Sequence, residues 1–412
     1  MLNATQEALA RPATAALGRV AVSRLRLTDF RNYRAARLVL GDEPVVLTGV
    51  NGAGKTNLLE ALSFLAPGRG LRGAKLAEID RRGAGAEATA AAAAGWAVAA
   101  AIATGRGHVE IGTGRDLGAA ASDPSTPPGA ERRIVRIDGI PAKSQASLGE
   151  RLGVLWLTPA MDRLFLEGPS SRRRFLDRLV LAVDPAHAVH VGAYEQALRE
   201  RSRLLREALL LDRPADPAWL AALEQVLAEQ GVAVAARRRE VVRRLDRTCA
   251  EAEGPFPRAR LTLKGVVEGW LDEMPALAAE DKLAAALASG RREDAQGGGA
   301  AIGPHRSDLA VAVANGTAAG LASTGEQKAL LISIVLAQAR LRQALRGDAP
   351  LLLLDEVAAH LDAGRRAALF AAVVKLEGQA WVTGTDAALF AALRGRAQFL
   401  SVAAGTLSPI AF

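Results

Sequence analysis

The chain holds 412 residues, enough for two or three domains, and half of them are hydrophobic against 23% charged, which excludes disorder as its general state. A single cysteine, Cys249, excludes a disulfide framework and an all-cysteine metal site. Basic residues outnumber acidic ones, 52 to 44, and the +8 balance suits a polyanionic partner, although a chain so rich in Arg and Ala drifts basic by composition alone.

Residues 1–20 read as a loose tail without the basic start and compact apolar segment of an export signal. Residues 21–48 read as β-structure: Ser23–Leu27 and Ala36–Leu40 alternate, and Val45-Val46-Leu47 is a short buried run. A helical pattern follows at Asn57–Leu62. The Ala-, Gly- and Pro-rich stretch from Asp80 to Pro141 contains strand-like pieces at Trp96–Ala103, Val109–Gly112 and Arg133–Ile137, with a loop at Ser122–Gly129. Its uncharged run from Ala88 to Gly105 is mostly alanine, too weakly apolar for a membrane span, so a cytoplasmic protein without membrane contact is expected.

From Ser170 to about Ser289 the pattern is amphipathic and helical, broken at Asp212-Arg213-Pro214 and Gly254-Pro255; Leu204, Leu205, Ala208 and Leu209 share one helical face. Gly297-Gly298-Gly299 reads as a flexible link, and strand–helix alternation returns after Ile302. The organisation is α/β, then a helical insert, then α/β again.

Three motifs carry chemistry. Gly49-Val50-Asn51-Gly52-Ala53-Gly54-Lys55-Thr56 follows an apolar strand and opens a helix, the context in which G-x-x-x-x-G-K-[ST] is a phosphate-binding loop. Its glycines let backbone N–H groups converge on a β-phosphate, Lys55 would reach the β- and γ-phosphates of ATP, and the Thr56 hydroxyl would hold Mg²⁺. Leu351-Leu352-Leu353-Leu354-Asp355-Glu356 has the continuous apolar run of a central parallel strand ending in two carboxylates, Asp355 placed for Mg²⁺ and Glu356 to polarise a water. Ser323-Thr324-Gly325-Glu326-Gln327 precedes a helical stretch from Lys328 to Leu345; alone it reads as a plain N-cap, but it lies about 28 residues before the acidic strand. That order and spacing resemble the signature loop of ABC-type ATPases, in which the signature of one protomer completes the nucleotide site of the other, implying roles for Ser323, Gly325 and Gln327.

Further blocks resemble the RecF family of bacterial recombination and replication-repair proteins, related to the SMC family: Leu27-Thr28-Asp29-Phe30-Arg31-Asn32-Tyr33, Lys55–Ala61, Gly68-Arg69-Gly70-Leu71-Arg72, Gly168–Asp177 and Gly303–Leu309. The resemblance implies an SMC-like ATPase head of two lobes, 21–165 and 301–412, with an inserted helical arm over 166–300. It also implies a weak ATPase that dimerises on ATP, binds single-stranded, gapped or junction DNA, and helps RecO and RecR load RecA in support of the SOS response. Departures stand at Glu356, where a second Asp is common, at Ala359-His360, where Ser-Glu is usual, and at Thr383, where transporter ATPases place a switch histidine. No glutamine for a Q-loop stands in Leu157–Asp162.

Arg172, Arg173 and Arg174, and a second group at Arg237, Arg238, Arg239, Arg243, Arg244 and Arg247, read either as DNA-phosphate contacts or as solvated helix faces with partners such as Glu240. The sparse aromatics are not interleaved with them, so backbone recognition is favoured over base stacking. The histidines show no zinc-type spacing. The alternatives are a nucleotide-binding subunit of an ABC-type transporter and another SMC-like ATPase. Against the first stand the roughly 267 residues between Thr56 and Ser323, and against a long coiled coil stands an arm of about 120 broken residues.

Overall fold

The computed structural model describes residues 19–81, 95–105, 107–116 and 132–410, with no statement on the side chain of residue 360. The tail before residue 19, the expected loop at 122–129 and the beginning of the alanine-rich run fall outside these residues. The chain divides into two compact units: the described residues of Met1–Met161 with Glu253–Phe256 and Gln338–Phe412, and Asp162–Ala252 with Pro257–Ala337.

The first unit holds two sheets. One is antiparallel in the order β2-β1-β4-β5-β6-β7, from β1 (Ala21–Phe30), β2 (Tyr33–Val39), β4 (Ala97–Thr104), β5 (Gly107–Asp116), β6 (Arg132–Ile137) and β7 (Ile140–Pro141). Along β1 the expected alternation buries Leu25 and Leu27 and exposes Arg24 and Arg26, as a sheet with one covered face requires. Phe30, Phe64 and Trp96 close that face, with Phe30 edge-on to both partners.

The other sheet has the order β14-β13-β3-β12-β11-β8, from β3 (Val45–Thr48), β8 (Val154–Leu157), β11 (Leu351–Leu354), β12 (Ala380–Gly384), β13 (Gln398–Ala403) and β14 (Thr406–Pro409). Its pairings are parallel apart from β13–β14. β3, β8, β11 and β12 are buried along their whole length, which is why Val45-Val46-Leu47 and Leu351–Leu354 read as continuous apolar runs. The core joins Val45, Leu47, Leu351, Leu353 and Trp381 of this sheet to Leu58, Leu62 and Phe64 around helix α1 (Lys55–Ser63) and to the inner face of the antiparallel sheet. Buried Gln379 adds a polar stitch: its side chain accepts from Val22 N and Trp381 Nε1 and donates to Gly41 O. Helices α2 (Ala146–Arg151) and α10 (Ala363–Lys375) also belong to this unit.

The second unit is built on α3 (Pro169–Val183), α4 (His187–Leu210), α5 (Pro217–Ala250), α6 (Val266–Glu273), α7 (Ala276–Ser289) and α8 (Arg291–Gly297). Helix α9 (Thr324–Arg346) contributes its residues up to Ala337 here and its remainder to the first unit. Tyr194, Leu227, Val232, Leu283 and Leu287 form the apolar core.

Three details depart from the sequence reading. A strand, β9 (Ala259–Lys264), interrupts the helical run and pairs antiparallel with β10 (Asp308–Val313); its alternating burial needs a distant partner that a local helical pattern does not reveal. Gly297-Gly298-Gly299 forms a helix terminus, with Gly298 left-handed at φ 77° and Gly299 N donating to Asp294 O. On α4, Leu204 and Leu205 are buried while Leu209 is exposed, so the apolar face stops a turn early.

Candidate functional site

The phosphate loop leaves the C-terminal end of β3 and feeds α1. Gly49, Gly52 and Gly54 all have positive φ, 151°, 80° and 118°, which other residues adopt only with strain. A Cβ at Gly49 would come within 2.2 Å of Val402 O, and one at Gly54 within 2.5 Å of Asn32 Nδ2. Around Gly52 the space is open, so the loop presents a cradle there. Val50 and Asn51 are exposed, Ala53 is buried, and Lys55 Nζ donates to the carbonyls of Gly49 and Val50 at 2.6 and 3.0 Å.

The turn Phe30–Tyr33 braces this loop from its carbonyl side. Asn32 Nδ2 donates to Ala53 O at 3.1 Å, Tyr33 Oη donates to Gly54 O at 3.0 Å, and Asn57 Nδ2 donates to Asn32 Oδ1 at 2.7 Å. Arg31, itself left-handed at φ 56°, and Arg72 converge on Glu60, whose carboxylate is fully buried on α1. Arg72 also donates to Asn57 Oδ1. Two blocks that the sequence marked only as family-like thus have a mechanical reason: the first grips α1 and the loop, and the second grips α1 through Arg72.

Asp355 and Glu356 follow β11. The register Leu354↔Val382 sets Asp355 beside Thr383 on the neighbouring strand. Thr56 Oγ1, 299 positions away in sequence, donates to Asp355 at 3.0 Å from both carboxylate oxygens. Burial pushes the Asp355 carboxyl above its usual range, against the hydrogen bonds from Thr383 and Thr56. Burial also lowers the Lys55 ammonium, offset by the charges of Glu356 and Asp355. A hydroxyl and a desolvated carboxylate on one spot are hard oxygen donors of the kind Mg²⁺ takes, and a cation there offsets the cost of burying the carboxylate. With the open glycine cradle, this donor set fits ATP and Mg²⁺.

Ser323, Gly325 and Gln327 lie at the start of α9 in the second unit. Ser323 and Glu326 form a reciprocal capping box, Ser323 N and Oγ both reaching the Glu326 carboxylate, while Gln327 is buried and donates to Ala322 O. Gly325 has open space where a Cβ would stand. Arg172 is held bidentate by Asp308, whose carboxylate raises its pKa through that hydrogen bond. Arg173 donates to Ser307 O, and Arg174 is exposed and donates to Ser170 O and Ser171 Oγ of its own helix. Of the second arginine group, Arg238 is buried in a bidentate pair with Asp177, Arg237 pairs with Asp184, Arg239 and Arg243 share Asp272, and Arg244 pairs with Glu240.

A mixed sheet carrying the phosphate loop and an acidic strand end, an antiparallel sheet packed on it, and a helical insert define the ABC-type, SMC-like ATPase head fold. The head of Pyrococcus furiosus Smc bound to the C-terminal domain of ScpA aligns at TM-score 0.50 over 95% of this chain and 96% of that one, at 16% identity. A structure of the recombination mediator protein RecF-ATPrS in the RecFOR pathway aligns at TM-score 0.79 over 96% of this chain and 99% of that one, at 20% identity. The DNA replication and repair protein RecF of Rhizobium rhizogenes is 50% identical over 393 residues, 95% of this chain and 99% of the relative. The chain belongs to the RecF family, which sets aside a transporter subunit. No family model matches it.

Proposed function

We propose that this protein is an ATP-switched DNA-binding protein of replication and repair. The observation that carries this reading is the junction of Thr56 and Asp355, which closes a phosphate loop and an acidic strand into one oxygen-rich site within a RecF-family chain. The site residues are Gly49–Thr56 for the phosphates, with Lys55 turning its ammonium from the loop carbonyls to the β- and γ-phosphates. Thr56 and Asp355 hold Mg²⁺, which when bound neutralises phosphate charge. Glu356 polarises the attacking water. Ser323, Gly325 and Gln327 of a second copy complete the site, so that ATP joins two protomers and slow hydrolysis parts them.

The lobes are 21–165 and 301–412 and the arm is 166–300. Arg173 and Arg174 are better placed than Arg172 to meet DNA phosphates, because Arg172 is committed to Asp308. DNA with a single-stranded gap or junction is the ligand, RecO and RecR are the partners, and RecA loading with support of the SOS response is the outcome, in the cytoplasm. Among the described residues no helix is long and apolar enough to cross a membrane.

The test is fluorescence anisotropy on gapped, single-stranded and duplex DNA at fixed salt, with and without ATP–Mg²⁺, for wild type and Lys55→Met, with sedimentation on the same samples. ATP should drive dimerisation and tighten DNA binding in wild type only. DNA affinity indifferent to nucleotide would sink the switch.

A further inference from the structure

We propose that Thr383 is a positioning residue for hydrolysis, its hydroxyl fixing at once the Asp355 carboxylate and the backbone of Glu356. The proposal rests on the ATPase reading above and names a device that reading does not contain. Thr383 lies near the end of β12, with no exposed surface. Its Oγ1 donates to Asp355 Oδ1 at 2.7 Å and accepts from Glu356 N at 2.9 Å. A buried hydroxyl is costly when unpaired, and here donor and acceptor capacities are both used by consecutive residues of one turn.

That turn is unusual. Glu356 sits at φ 50° and ψ 27°, the left-handed region, in which a side chain crowds the backbone and a non-glycine residue is disfavoured. Such a conformation persists only where its surroundings over-determine it. The parallel pairing of β11 with β12 brings Thr383 to the position from which one hydroxyl can hold both the carboxylate before the turn and the N–H within it. The direction in which the Glu356 side chain leaves the strand is therefore set from the neighbouring strand. With its hydroxyl spent on Asp355 and Glu356, Thr383 acts through these two residues and does not serve as a contact to phosphate. Valine fills the same volume on a strand and offers neither bond.

The experiment compares wild type with Thr383→Val, Thr383→Ser and Thr383→Ala in the full-length protein, with Lys55→Met as the background. Two readouts are taken: amide hydrogen exchange over Leu354–Ala358 without nucleotide, and kcat and KM for ATP–Mg²⁺. In Thr383→Val the exchange at this turn should quicken about fivefold, the worth of one hydrogen bond. Its kcat should fall about tenfold with KM within about twofold, while Thr383→Ser stays near wild type in both readouts. Should valine impair folding, Thr383→Ala carries the same expectation without setting a methyl group against the Asp355 carboxylate. Unchanged exchange in the valine and alanine variants overturns the inference, as does a serine variant as impaired as valine. If wild type hydrolyses ATP no faster than Lys55→Met, the ATPase reading and the catalytic use of this device both fail, and the exchange data still decide whether the hydroxyl holds the turn.

Discussion

Asn32 and Tyr33 bind the phosphate loop by its carbonyls, which leaves the N–H side of the loop to a ligand. Removing the phenol in Tyr33→Phe keeps the packed ring and deletes one bond to Gly54. The expected result is a loss of about 1 kcal/mol in folding stability and an ATP affinity about fivefold weaker, read by urea titration and by titration with a fluorescent ATP analogue. Gly49→Ala is the harsher change at the same loop, because its Cβ meets a backbone oxygen and its φ is strained. ATP binding should fall at least about tenfold, or the variant should fail to fold. Glu60 makes the same point from the helix side, since its buried carboxylate is matched by Arg31 and Arg72. Replacing it by Gln leaves two guanidinium groups under-paired and should loosen α1 before it touches any phosphate contact.

At the scale of elements, the far end of α1 is fastened by a residue with no mark in the sequence. Arg133, on β6, is buried and donates to the carbonyls of Phe64 and Gly68 and to Gln145 Oε1, its guanidinium lying 5.0 Å above the Phe64 ring. Arg133→Met should cost about 2–4 kcal/mol in a urea titration, since the helix-end carbonyls lose their donors inside the core. The elements legible in advance were those whose signal is local. The phosphate loop and its helix, the leucine strand before Asp355 and the alternation of β1 all announce themselves within ten residues. Strand β9 did not, because its six residues acquire meaning only against β10. The partners of Arg133, Arg172 and Glu60 were likewise invisible, since nothing in a charge pattern says which distant carboxylate or carbonyl will face it. Thr383 was legible as a position but not as a role, which depended on the strand register beside it.

At the scale of the molecule, the helical unit carries buried charge pairs beside its apolar core. Arg201, fully buried, pairs with Glu224 and Asp294, and Arg238 shares Asp177 with His187. Burial works to raise the Asp177 pKa, but the hydrogen bond from His187 and the charge of Arg238 prevail and hold it down at about 2. Its stabilisation is therefore present above the ordinary value of 3.8 and is lost as pH falls through that value towards 2. For His187 burial prevails over the bond to Asp177 and lowers its pKa, so the folded unit resists a proton that the unfolded chain accepts. Stability from that source is complete above the ordinary imidazole value of 6.5 and declines as pH drops below it. Urea midpoints at pH 7.5 and 5.5 should show that decline in wild type and a flatter response in His187→Gln.

The order β14-β13-β3-β12-β11-β8 carries a consequence for biosynthesis. β3, made early, lies between β13 and β12, which are made near the end, and β8 joins the sheet only through β11. The phosphate loop consequently emerges from the ribosome on a strand with no permanent partner, and stays so until about 330 further residues have been translated. The antiparallel sheet and the helical unit, whose pairings are closer in sequence, are free to fold in that interval. A nascent chain stalled before β12 should present a folded arm, an unpaired β3 and no nucleotide response. Protease digestion of ribosome-bound chains arrested at successive lengths reads this directly, with protection of the loop expected only once β13 has cleared the exit tunnel.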